Sequence, residues 1–572
     1  MGCVSIINSH SRFRIISRII TTQVIQQREN MIFNLAKKNT LIVEDFAEFA
    51  RSVRAMLHSM GSTHANIVYN AEDAIEACKN HKYDIILSDY NLGSKKDGQQ
   101  LLEELIKYKL IKSNCIFLML TAENTSAMVM GAVEYQPDGY IAKPFNGGLL
   151  KARLQKAIEK KDTLHPILRS IANKNWREAL ENIEKILPEH PKYRMSCLRA
   201  KFQALKALNK LDEALKLVTE IISGRSIPWA LEGAGEIYYL KKDFTKSMDI
   251  FKTMTKEFPI ALEGYDWLAK LQIKLGQPIE AQETLIQAVE KSPKALKRQK
   301  NLGELAEVNN DIHTMTDAYR SAVKYGKNSA FSSPDEYIKL TTALTKQLSD
   351  DSDLISDKII NEAEQTFEKL KTNFSSTHSN LLRSNVAQAS FYNACDETEK
   401  VEKHLLESKK HLAELDEQIS ANVSLEMSST LSNLGKKELA DEILNEAIQQ
   451  NLDDPDFIKK AAKISDNKAL IEMSLQANKF NLQAISLFKN KKYSDAISAF
   501  AEAHKLSPKN INIRLNYVQT LLKQAQGQAN ANQTIETADK LISEMPQLAF
   551  SDKRYPRYSE LNRLTQLMLQ QG

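Results

Sequence analysis

Apolar and polar positions follow two different rhythms along this chain, and the change comes near residue 160. Between about 38 and 160, short runs of apolar residues alternate with longer stretches that carry an apolar residue every three or four positions. The short runs are Thr40-Leu-Ile-Val43, Asn66-Ile-Val-Tyr69, Tyr83-Asp-Ile-Ile-Leu87, Cys115-Ile-Phe-Leu-Met-Leu120 and Gly139-Tyr-Ile-Ala142. Runs of this length without polar alternation predict strands covered on both faces. Ala47–Met60, Ala71–Asn80, Gln99–Lys109 and Asn146 to about Lys160 have helical spacing. Strands alternating with helices predict an α/β domain with a doubly wound parallel sheet.

From about 162 the rhythm is helical only, and it repeats. Small or short residues stand at Ala179, Ala214, Ser247, Ala281 and Met315, with steps of 35, 33, 34 and 34. Four residues on come Ile183, Val218, Phe251, Leu285 and Tyr319, and seven on come Ile186, Ile221, Met254, Ala288 and Ala322. Gly235, Ala269 and Gly303 lie twelve before the small position in the last three units, and Pro191, Pro259 and Pro293 lie twelve after it in three of the five. Two helices pack closely when small residues face each other and a bulky one fills the gap, and proline ends the second. The pattern resembles the tetratricopeptide repeat, which implies an all-α solenoid and a partner-binding groove. It weakens over 331–427, restarts at Ala440, Leu444 and Ala447, and is clear again at Ala496, Phe500, Ala503 and Pro508. The expected division is a leader at 1–37, the α/β domain at 38–160, repeats at 162–330, degenerate helices at 331–427 and repeat-like helices at 428–572.

Composition narrows the function. Of 572 residues, 42% are hydrophobic and 26% charged, with a net charge of +5. So small an excess for this length does not argue for nucleic acid, and no basic helix-turn-helix is visible near the end. The five cysteines are scattered without a paired spacing, which fits a reducing cytoplasm better than a disulfide framework or a zinc site. No apolar run approaches a membrane span, so no stable membrane insertion is expected. Residues 1–30 are basic, with Ile15, Ile16, Ile19 and Ile20 on one helical face. They read as a poorly ordered leader or a start placed upstream of Met31, against a membrane-surface helix or a lipidation signal. Lys241, Lys242, Lys246, Lys294, Lys297, Arg298 and Lys300 read as a solvated helix face rather than an acidic-peptide groove. Trp176, Trp229 and Trp267 read as core fillers.

The chemistry gathers at strand ends. Glu44 and Asp45 follow the first strand, Asp89 the third, Thr121 and Ala122 the fourth, and Lys143 and Pro144 the fifth. In open parallel sheets ligands bind beyond the carboxyl ends of the strands. Three carboxylates there repel one another and raise one another's pKa unless a hard cation such as Mg²⁺ sits among them. A lysine and a hydroxyl on the same rim suit a phosphoryl group.

In this order and spacing, these residues resemble the CheY-like receiver domain of two-component response regulators, which is flavodoxin-like. The resemblance implies that Asp89 is the phosphoacceptor and that Asp45, Asp89 and the backbone carbonyl of Asn91 hold Mg²⁺, with Glu44 direct or through water. It also implies that Lys143 pairs with the phosphoryl oxygens, that Thr121 and Tyr140 form the switch, that Ala122 keeps the site open, and that Pro144 follows a cis bond. The loop Tyr90-Asn-Leu-Gly93-Ser-Lys-Lys-Asp97-Gly98 departs from the family, with Gly93 where proline is usual and one extra residue. The expected partners are a sensor histidine kinase or histidine phosphotransfer protein, and a protein bound by the repeats. The expected function is a bacterial, cytoplasmic phosphorelay regulator whose repeats switch partners, with no enzyme activity beyond the receiver's own phosphoryl transfer and autodephosphorylation. The alternatives are a phosphate sink that inhibits a kinase–regulator pair and, less favoured, a DNA-binding regulator.

Overall fold

The computed structural model describes residues 35–572, apart from 94, 123–135, 351–355, 416–418, 452–453, 466–467, 527–530, 546–547, 549–551, 553 and 572. Most of the expected leader therefore lies outside the described residues. Leu35, which the sequence reading placed in that leader, is buried in the core of the α/β domain.

Five strands form one parallel sheet: β1 (Thr40–Val43), β2 (Ala65–Val68), β3 (Ile85–Asp89), β4 (Ile116–Thr121) and β5 (Gly139–Ala142), in the order β2-β1-β3-β4-β5. Alternate side chains feed two cores. Leu41, Val43, Ile86, Phe117 and Met119 pack against α2 (Ala71–Asn80) and α3 (Gly98–Lys107). Ile42, Ile85, Leu87, Leu118 and Ile141 pack against α1 (Ala47–Ser59) and α4 (Gly147–Ala172). Covering both faces explains why the strands read as unbroken apolar runs.

The helix expected to end near Lys160 runs on to Ala172. Its first half buries Leu150, Leu154 and Ile158 under the sheet, and its second half buries Leu164 and Ile167 against Ile183 and Cys197 of the helices that follow. Lys161 pairs with Asp138 at 3.1 Å and ties the middle of the helix back to the α/β domain. One continuous helix thus belongs to both hydrophobic cores.

Two compact units divide the chain, meeting between Glu336 and Tyr337. After α4 the first unit continues with α5 (Trp176–Glu189), α6 (Arg194–Ala207), α7 (Leu211–Gly224), α8 (Pro228–Leu240), α9 (Phe244–Glu257), α10 (Glu263–Lys274), α11 (Pro278–Lys291), α12 (Leu296–Val308) and α13 (Ile312–Gly326). Lys174, Asn209, Lys242, Gly276 and Asn310, one in each turn before α5, α7, α9, α11 and α13, are left-handed with φ between 55° and 77°. The small positions Ala179, Ala214, Ser247, Ala281 and Met315 are all fully buried. Gly235 and Gly303 show why glycine stands opposite the bulky position. A Cβ there would lie 2.5 Å from the Phe251 ring and 2.7 Å from the Tyr319 ring.

The tryptophans are partly buried. Trp229 packs beside Phe202, and Trp267 stacks on Phe251 with centroids 5.6 Å apart. Of the basic residues, Arg298 is buried and forms two hydrogen bonds to Asp266, while Lys241 and Lys246 pair with Asp212 and Asp243.

Glu232 on α8 accepts a hydrogen bond from the Trp267 indole and has its pKa raised, first by burial and then by Glu263. A carboxyl raised in the fold stabilises it fully below its unfolded value, and that contribution is lost as pH rises through the folded value. Glu232→Gln is therefore expected to be at least as stable as the parent at pH 7, with the advantage gone at pH 4. Urea midpoints at the two pH values check this.

The second unit holds most of α14 (Pro334–Asp350), then α15 (Ser356–Phe374), α16 (His378–Ala394), α17 (Thr398–Ala413), α18 (Ala421–Asn433), α19 (Lys437–Gln450), α20 (Pro455–Ile464), α21 (Lys468–Lys489), α22 (Tyr493–Leu506), α23 (Ile511–Ala525), α24 (Asn532–Ser543) and α25 (Tyr555–Gln571). The left-handed turn recurs at Asp396, Gly435 and Lys491. In α17 the buried face is Val401, Leu405 and Ser408. No helix among the described residues is long and apolar enough to cross a membrane.

Candidate functional site

Strand register assembles the site. Asp89 ends β3 opposite Leu120, so Thr121 lies one residue beyond that pairing. Thr121 in turn faces Ala142, and its carbonyl accepts the Lys143 N–H at 2.7 Å. Glu44 follows β1, the central neighbour of β3. Carboxylate oxygens of Glu44, Asp45 and Asp89 lie within 4.8 Å of one another.

Lys143 bridges two of these carboxylates. Its Nζ donates to Glu44 at 2.8 and 3.0 Å and pairs with Asp89 at 2.9 Å. Glu44 and Asp89 are buried, whereas Asp45 is exposed. Burial is the largest influence raising the Glu44 and Asp89 pKa values, Lys143 opposes it, and repulsion among the carboxylates adds a smaller upward push. Mutual repulsion, which the sequence reading made the cause, is secondary because Lys143 already sits between the two buried groups.

The remaining site residues fall around this centre. Asn91 is exposed two positions after Asp89, and Ala122 is exposed directly after β4. Tyr140 is half-buried against the α2–α3 core, and burial raises its phenol pKa. The Lys143–Pro144 peptide is cis. Gly93 has φ +91°, a conformation closed to proline, which accounts for the departure at that position.

Two contributors were not singled out in the sequence. The Phe49 ring lies 4.5 Å from Lys143 Nζ, one helical turn past Asp45 on α1. Gly98, which opens α3, is packed against β3. A Cβ on Gly98 would stand 2.2 Å from the Asp89 carbonyl oxygen and 2.9 Å from Met119 Sδ. Glycine to alanine in a helix normally stabilises by about 1 kcal/mol. Here the clash with backbone reverses the sign, and Gly98→Ala is expected to cost about 1–3 kcal/mol. A urea titration followed by far-UV circular dichroism measures it, and an unchanged first transition would remove Gly98 from this role.

The same loop faces the helices of the first unit. Lys107 of α3 donates to the Ala330 carbonyl at 2.6 Å and lies over the Phe331 ring. Ser329 donates to Glu103 at 3.2 Å, and Asn328 donates to the Lys95 carbonyl. A cleft of about 750 Å³ lies between them, lined by Tyr90, Asn91 and Asp97 on one side and Lys294, Lys297 and Lys300 on the other.

With an aspartate, a lysine and an acidic pair on one rim of a parallel sheet, relatives can be compared. Residues 40–155 match the response regulator receiver domain. The receiver is 29% identical over 120 residues to chemotaxis protein CheY-3 of Vibrio cholerae, covering 21% of this chain and 91% of the relative. It is 27% identical over 120 residues to chemotaxis protein CheY of Pseudomonas aeruginosa, covering 21% and 95%. Among solved structures, the signal receiver domain of a modulated diguanylate cyclase from Desulfovibrio desulfuricans is 28% identical, with coverages of 22% and 96% and a TM-score of 0.20. The receiver domain of a sensor histidine kinase from Pseudomonas aeruginosa, solved with a magnesium ion in its active-site cleft, is 26% identical, with coverages of 21% and 98% and a TM-score of 0.19. Residues 40–155 thus form a CheY-like response regulator receiver domain. The helices beyond it lie outside these alignments.

Proposed function

We propose that this protein is a phosphorelay response regulator in which Asp89 accepts a phosphoryl group and the repeat helices carry the output. The observation that carries the reading is Lys143 held at 2.9 Å from Asp89 in a cluster with Glu44 and Asp45. The donor is a sensor histidine kinase or a histidine phosphotransfer protein. An Asp89 oxygen attacks the phosphorus, the P–N bond to the donor imidazole breaks, and its electron pair stays on the ring nitrogen, which takes up a proton. An acyl phosphate is left on Asp89, and hydrolysis by water returns the carboxylate and inorganic phosphate.

The all-oxygen donor set fits Mg²⁺, since these acids have one lysine among them and burial already resists their charge. Glu44, Asp45, Asp89 and the Asn91 carbonyl would hold it. When bound, the ion supplies positive charge against the incoming phosphoryl oxygens.

Phosphorylation replaces the single negative charge of Asp89 with a phosphoryl group of about −1.5 to −2 beside Glu44. Lys143 then exchanges its carboxylate partners for phosphoryl oxygens, and Thr121 and Tyr140 follow. Two routes lead outward: α4, which shares both cores, and α3, which touches 328–331. Coupling of about 1–3 kcal/mol changes partner affinity 5–150-fold. The partner is a protein bound by the tetratricopeptide-like helices, and the setting is a bacterial cytoplasm.

Hydrogen–deuterium exchange with and without beryllofluoride tests this. Changed protection in α3 and 324–331 is expected, and change confined to the rim of the sheet would separate the receiver from the repeats.

A further inference from the structure

The second unit holds a cluster that neither the receiver chemistry nor the repeat pattern explains. His378 opens α16, and His411 lies in the last turn of α17, with Glu414 at its cap. The two His Nδ1 atoms are 3.2 Å apart, and a Glu414 carboxylate oxygen is 3.5 Å from His378 Nδ1. One ligand atom from each residue lies within 4.8 Å of the other two. The rings are tilted at 44° with centroids 5.4 Å apart.

We propose that His378, His411 and Glu414 bind a borderline divalent transition metal, Zn²⁺ or its analogue Co²⁺, and staple the open end of the α16–α17 hairpin. The spacing supports this. Zn–N distances of about 2.0–2.1 Å define a tetrahedron whose edges are about 3.3–3.4 Å. The His–His and His–Glu separations match two such edges, so small side-chain movements place three ligands around one ion. Two imidazoles and a carboxylate suit Zn²⁺ or Co²⁺ far better than Mg²⁺ or Ca²⁺. The fourth position stays open to water.

The surroundings fit as well. Glu407 lies 4.0 Å from His411 Nε2, on the ring nitrogen away from His378. A carboxylate there orients a ligating histidine and raises its basicity. His411 is well buried, with 13% of its side chain exposed, while His378 and Glu414 are open enough to admit an ion. The C-terminal end of α17 favours a cation and the N-terminal end of α16 opposes it, so affinity must come from the ligands themselves. Without metal, one Nδ1 donates a proton to the other. Coordination through both Nδ1 atoms moves that proton to Nε2. The opposite end of the hairpin is already fixed by the left-handed turn at Asp396.

The test uses the full-length protein stripped of metal and titrated with Co²⁺, with Mg²⁺ in excess to compete at the receiver carboxylates. One saturable equivalent with intense visible d–d absorption is expected, displaced by Zn²⁺. His378→Ala and His411→Ala should abolish it, and Glu407→Gln should weaken it about 10–100-fold. Zn²⁺ should raise the thermal midpoint of the parent but not of the two histidine variants. If His411→Ala fails to fold by circular dichroism, His378→Gln at the more exposed position carries the test. Equal titrations in parent and histidine variants, or no saturable step in the parent, would overturn the proposal.

Discussion

Replacing Lys143 by methionine is expected to slow loading of Asp89 from acetyl phosphate about 10²–10³-fold, the usual cost of removing one preorganised group that stabilises developing charge. The expectation rests on geometry. Lys143 Nζ donates to both oxygens of buried Glu44 and pairs with Asp89. Removing it takes away the largest influence that opposes burial at both groups, so both pKa values rise further. The incoming phosphoryl oxygens lose their nearest protein charge at the same time. Single-turnover loading followed by phosphate-affinity electrophoresis measures the rate. A fall of less than about tenfold would mean that bound divalent metal, rather than Lys143, supplies most of the charge stabilisation.

The largest stability effect should come from Phe251→Ala, at about 3–5 kcal/mol. Phe251 is fully buried, stacks on Trp267, and faces Gly235, which has no side chain with which to fill a void. Such a site collapses poorly, so cavity cost adds to lost transfer energy. Stacked helix pairs depend on their neighbours, so the damage spreads to flanking repeats. Urea unfolding followed by tryptophan fluorescence reports directly, because Trp267 is the ring exposed. A loss under about 1 kcal/mol would show that this layer repacks.

Much of the receiver was legible because each element carries its own signal. Strands covered on both faces read as apolar runs, and the polar residue ending each run lies at the rim where parallel register aligns it. Thr121 and Lys143 are joined by a backbone hydrogen bond that follows from β4–β5 pairing. The length of α4 was not legible. The step from Ile158 to Leu164 turns its apolar stripe to another face where the helix passes from one core to the next, and Pro166 imitates a stop. The α16–α17 hairpin was obscured because Val401 stands where the first small residue of a small-bulky-small pattern was sought. The 33-residue separation of His378 and His411 is close to one repeat step, so pairing polar residues at that interval could have exposed the cluster. The contact of α3 with 328–331 joins positions more than 220 residues apart, and no local pattern encodes it.

The most direct measurement is phosphate-affinity electrophoresis of the full-length protein and its Asp89→Ala variant after incubation with acetyl phosphate and Mg²⁺. A retarded band in the parent alone, lost on chelation before the donor is added, is the predicted result. A retarded band that persists in Asp89→Ala would place the phosphoryl group elsewhere and contradict the assignment of Asp89 as acceptor.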